Sequence, residues 1–101
     1  MPRFVILRHD WPHPHLDLLL EAGGVLWAWR LPPDPPPGEW VPATPNADHR
    51  LVYLDYEGPV GGGRGEVSRW ASGECDGERL TWAGGAADLR RDGDGWLFRL
   101  G

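Results

Sequence analysis

The sequence predicts an all-β protein, a small antiparallel β-barrel with short hairpins and a Pro-rich connection. Three observations carry that expectation: short apolar runs, glycine-rich turns between them, and almost no helical periodicity along 101 residues. Seven tryptophans and 41% hydrophobic residues are more apolar bulk than a disordered tail carries, and the 15 glycines keep no collagen-like period. A chain of this length is expected to make one domain, residues 1–101.

The first strand is Phe4–Leu7. It stops at Arg8-His9-Asp10-Trp11-Pro12-His13-Pro14, a polar stretch whose prolines bar an ordinary helix. Leu16–Glu21 and Val25–Leu31 flank Ala22-Gly23-Gly24 and read as a hairpin. Leu-Asp-Leu-Leu-Leu-Glu is also built of good helix formers, so a helical turn is the competing reading of the first arm. In the second arm the two-residue strand period puts Val25, Trp27, Trp29 and Leu31 on one face, the expected anchor of the core.

Leu31–Gly38 holds five prolines and is expected to run as an extended surface connection toward Asn46. Leu51–Tyr56 is short and aromatic. The glycines of Gly58-Pro59-Val60-Gly61-Gly62-Gly63 then permit a tight bend or a close approach to a ligand. Gly65–Trp70, Arg79–Trp82, Ala86–Arg91 and Trp96–Leu100 complete the strands, with a turn around Cys75 and a hairpin at Asp92-Gly93-Asp94-Gly95.

The net charge of −5 argues against a general polyanion-coating protein, while leaving room for a local group of arginines to hold one phosphate. All ten basic residues are Arg. No apolar run approaches the roughly 20 residues of a bilayer-spanning helix, so no membrane partner is expected. The residues ahead of Phe4 are too few for a signal peptide, and the lone Cys75 cannot form an internal disulfide, so a reduced cytoplasmic compartment is expected.

The sharpest chemical signal is His9, His13 and His15 within seven positions, followed by Asp17. On a strand, His15 and Asp17 project to the same side, and His9 can return to them across the proline loop. His49 is the remaining histidine and the natural distant fourth ligand. Three imidazoles and a carboxylate suit Mn²⁺, Zn²⁺ or Fe²⁺ rather than Ca²⁺; the plainer reading is an exposed polar loop. Arg8, Arg30, Arg50, Arg64 and Arg69 could converge as a phosphate clamp, and Tyr53 could bring a phenol near the site. Cys75 lacks a nearby cation to stabilise a thiolate. Trp11 or Trp40 could sit exposed where a base stacks.

Taken in order, Phe4–His9, His15–Glu21, Gly24–Trp29 with Pro32, Asp48–Tyr53 and Tyr56-Glu57-Gly58 resemble the 3′-phosphoesterase domain of bacterial DNA ligase D. Gly65–Trp70 and Trp96–Leu100 look like that family's last strands. The resemblance implies a compact β-barrel with a Mn²⁺-preferring site that trims 3′-terminal ribonucleotides and 3′-phosphates from DNA ends, with metal ligands at His9, His15, Asp17 and His49. It places a family tyrosine at Tyr53.

The chain departs from the family pattern at Leu7, Leu19, Pro33, Val41 and Ala47, which stand where the family has glutamine, arginine, lysine, arginine and glutamate. These losses remove much of a cationic clamp. Two readings follow. In one, the protein is an enzyme in which Arg8, Arg30 or Arg50 replaces the lost cations and His13 serves as general acid. In the other, it is a diverged metal-binding module that holds nucleic-acid ends or a repair ligase or polymerase without turnover.

Overall fold

A computed structural model describes residues 1–101. The strands are β1 (Arg3–His9), β2 (His15–Ala22), β3 (Val25–Leu31), β4 (Trp40–Pro42), β5 (Thr44–His49), β6 (Gly58–Pro59), β7 (Glu66–Asp76), β8 (Arg79–Trp82), β9 (Gly85–Asp92) and β10 (Gly95–Leu100). They form one antiparallel sheet in the order β4-β10-β9-β8-β7-β1-β2-β3-β5, with β6 added on β7. The two ends of that order, β4 and β5, are separated only by Ala43, whose N–H donates to Trp96 O at 3.0 Å. One stretch of chain therefore leaves β10 and joins β3, which nearly closes the barrel.

This closure corrects the expectation of an extended surface connection running to Asn46. The prolines do keep 32–36 out of the strands, but Trp40–Pro42 pairs with β10 and Thr44–His49 with β3. β2 is a strand and not a helical turn. It pairs with β1 from His15 to Leu20 and with β3 from Leu16 to Ala22, the latter through a turn in which Gly23 and Gly24 take φ of 57° and 89°.

The barrel interior holds 14 buried residues drawn from β1, β2, β3, β4, β7, β8, β9 and β10, among them Phe4, Ile6, Leu16, Leu18, Trp29 and Phe98. A second cluster of seven lies on the outer face of β1–β3: Val5, Leu7, Leu19, Leu26 and Ala28 are covered there by Leu54, with Val67 of β7 alongside. Both faces of these strands are thus buried, and the usual alternation of apolar and polar residues vanishes from Leu16–Leu20. The face anchor also needs correcting. Trp29 and Leu31 point into the barrel, but Trp27 is 51% exposed, and Leu26 and Ala28 serve the outer cluster. Trp70, Trp82 and Trp96 are partly buried against the interior.

The cover over the outer face is Leu51–Leu54, a 3-10 turn, followed by β6. β7 runs on through Cys75, so that residue sits in a strand rather than a turn, and the reversal comes at Gly77. Burial pushes the Cys75 thiol above its ordinary pKa, with the Asp76 charge adding to the effect, which leaves it an inert core residue. No helix is long and apolar enough to cross a membrane.

Candidate metal centre

The register of β1 against β2 sets Leu7 opposite Asp17 and His9 opposite His15. Cross-strand partners share a face, so His9, His15 and Asp17 meet on the outer side of the barrel wall, in line with Val5, Leu7 and Leu19. One ligand atom from each falls within 4.8 Å of the others. His15 is 5% and Asp17 7% exposed.

Backbone carbonyls fix the imidazoles. A carbonyl oxygen can only accept, so the ring nitrogen facing it carries the proton. His9 Nε2 donates to Arg64 O at 2.8 Å, and His15 Nδ1 donates to His13 O at 2.8 Å. In the neutral rings this leaves lone pairs on His9 Nδ1 and His15 Nε2, which lie 3.3 and 3.2 Å from the two oxygens of Asp17. His15 Nε2 is buried without a hydrogen-bond partner, because its contact with Asp17 is misaligned for one. Acceptors crowded against acceptors in a buried site repel unless a cation lies among them. The donor set therefore fits a divalent transition ion, with the second nitrogens anchored on backbone as such ligands require.

The cluster opens into a cavity of about 370 Å³ whose lining includes Leu7, Leu19, Asp17, His9, Arg30, Arg50, Arg64, His49, Tyr53 and Trp11. Arg30 faces it because β3 pairs Arg30 directly with Asp17. Arg64 comes from the glycine loop, where its Nε donates to Gly61 O at 2.8 Å. Tyr53 packs edge-on between His49 and Tyr56, at ring centroid distances of 5.8 and 5.5 Å.

Residues 7–94 match the sequence family described as the DNA Ligase D 3′-phosphoesterase domain. The chain belongs to that family. It is 33% identical, over 93% of its length, to the multifunctional non-homologous end joining DNA repair protein LigD of Mycobacterium tuberculosis H37Rv. It is 34% identical over 70% of its length to the multifunctional non-homologous end joining protein LigD of Pseudomonas aeruginosa. The chain spans about 15% of the first of these relatives and 9% of the second.

Set against the ligase D phosphoesterase pattern, the structure sorts the predicted residues. His9, His15 and Asp17 come together. His49 lines the same cavity but stands outside the tight group. It pairs with Leu26, four residues along β3 from Arg30, or about 13 Å of strand, beyond an irregularity in pairing between Leu26 and Ala28. Its Nδ1 donates to Ala47 O at 2.9 Å, leaving Nε2 open to a ligand.

Arg30, Arg50 and Tyr53 line the cavity, whereas Arg8 and His13 do not. Arg8 lies opposite Leu16, so the strand period turns it to the other face from His9. His13 is exposed beside a separate shallow depression with Pro32 and Pro33, and contributes its carbonyl to His15.

Of the family positions that are apolar here, Leu7 and Leu19 form part of the cavity wall, while Val41 is buried inside the barrel. Arg64 is the cavity cation that sequence reasoning left as one of a diffuse group. Its place is set by the close approach of the glycine loop to Asp10 and Trp11: Gly65 has φ +75°, and a Cβ there would lie 2.2 Å from Asp10 Oδ1.

Proposed function

We propose that this domain processes 3′ ends of DNA in repair, as a metal-dependent phosphoesterase removing a 3′-phosphate or a 3′-ribonucleotide. The observation that carries the reading is the convergence of His9 Nδ1, His15 Nε2 and the Asp17 carboxylate, two of which, His9 and Asp17, line a cavity that also holds three arginines. Mn²⁺ is the proposed ion, with Zn²⁺ or another divalent transition metal as substitute, and His49 Nε2 is the proposed fourth ligand. When bound, such an ion supplies Lewis-acid polarisation of a phosphoryl oxygen and lowers the pKa of a water.

The chain's own residues do the rest. Arg30, Arg50 and Arg64 hold the phosphoryl oxygens and offset the charge that builds as the ester breaks; one such donor is worth about 3 kcal/mol. They take the place of the clamp expected from Arg8, which faces away. Tyr53 offers a phenolic O–H whose ring is braced by His49 and Tyr56. His13 lies outside the cavity, so no general-acid step is assigned to it. The relatives' end-joining names support a setting beside a repair ligase; a polymerase partner and a cytoplasmic location are part of the same proposal.

The apolar wall of Leu7 and Leu19 favours a second reading, a module that binds the end without turnover. One experiment separates the two. A 5′-labelled primer–template ending in a 3′-phosphate or one ribonucleotide is incubated with the protein and Mn²⁺, with His49→Ala as control. The expected result is loss of phosphate or of one nucleotide, abolished in the control. Stoichiometric metal and end binding without product would establish the binding module.

A further inference from the structure

We infer that Trp11 is the stacking platform for the terminal base, so that the site engages a frayed or single-stranded 3′ nucleotide rather than a bare phosphate. The inference rests on the proposed end-processing function and deepens it. Trp11 follows His9 by two residues, lines the same cavity and is 43% exposed, outside both apolar clusters. Tyr53, across the cavity, has its ring committed to edge contacts with His49 and Tyr56. Trp11 has no aromatic or cationic partner, so its indole is free to take a base.

The backbone that carries the indole is also held in place before any ligand arrives. The Glu66 N–H donates to Asp10 Oδ1 at 2.8 Å, the Asp10 N–H donates to Glu66 O at 3.3 Å, and Gly65 packs so tightly that a Cβ would sit 2.6 Å from Trp11 Cβ. With that backbone set in advance, only the side-chain torsions of Trp11 remain to be ordered on binding. Arginines for the phosphate beside one open aromatic face for the base are the two parts that single-strand recognition needs.

The test is fluorescence anisotropy with Mn²⁺ on two 5′-labelled oligonucleotides ending in a 3′-phosphorothioate, one with a normal terminal nucleotide and one with an abasic terminal sugar. The normal end is expected to bind about tenfold tighter. Trp11→Ala should bring it to the abasic level, Trp11→Phe should keep most of the difference, and neither should change metal content. Equal affinity of the wild type for both ends, or discrimination that survives Trp11→Ala, would overturn the inference while leaving end processing intact. Absence of binding to either end would overturn the end-processing reading and the inference with it.

Discussion

Three acceptors meeting in a buried space make His15 the residue on which the site turns. Its Nδ1 is satisfied by His13 O and its Nε2 has no hydrogen-bond partner, so an ion at Nε2 would join binding to folding. Replacing His15 by Ala is expected to strip the protein of metal, and by elemental analysis the content should fall from about one equivalent to near zero. The same variant should melt at least about 4 °C lower, a loss on the order of 1 kcal/mol for a domain of this size, and chelator should no longer shift its melting temperature. Metal content unchanged in His15→Ala would remove His15 from the site. His9, His15 and Asp17 were all legible in the sequence because two-residue spacing on a strand is a local rule. The placement of Arg8 and His13 was not, since it depends on where β1 ends and which way the proline loop turns.

At the level of strands, β8, β9 and β10 are tied together on their outer side by one carboxylate. Asp88 of β9 accepts from Arg79 of β8 at 3.0 Å and from Arg99 of β10 at 3.1 Å, and Arg79 also donates to Gly101 O. Burial alone would raise the Asp88 pKa; the hydrogen bonds and charges of the two arginines outweigh it and hold the carboxyl below its ordinary value. A depressed carboxylate stabilises the fold above its unfolded-state pKa and loses that contribution as the pH falls through the folded value. Asp88→Asn should therefore cost about 1 kcal/mol at neutral pH, moderated by solvent around the half-exposed arginines, and the deficit should shrink below about pH 4. Chemical denaturation at pH 7 and pH 3 measures both; an equal deficit at the two values would show that the charge is immaterial.

The β9–β10 hairpin could be read from its glycine turn, as could β2–β3; the β7–β8 hairpin could not, because β7 runs on past Trp70 through Cys75. The barrel's closure by Trp40–His49 could not, because β4 and β5 draw their order from partners distant in sequence. Trp27 shares the strand parity of Trp29 and Leu31 and yet is half exposed, because alternation tells which face a side chain takes and not whether another element covers it.

The molecule as a whole is acidic, and the cations that face the cavity are Arg30, Arg50 and Arg64. A nucleic-acid end held there gains little from the rest of a molecule of net negative charge, so the electrostatic footprint should be small. The affinity for a single-stranded 3′ end is expected to fall with salt along a log–log slope of about −2, three contacts at roughly 0.7 each. A slope steeper than about −4 would mean that further surface is engaged. The barrel positions this chemistry without enclosing it. The His9–His15–Asp17 cluster sits outside the wall, beside a cover of Leu51–Leu54 and β6 that meets the barrel through a cluster of seven buried residues, against 14 inside the barrel. Leu54 is the one buried side chain the 3-10 turn adds to the outer cluster, so the cover is expected to be the less costly part to open. Amide exchange should then be faster in Leu51–Leu54 than in β1–β3, and mutations in the cover should alter access to the site without altering the lifetime of the fold.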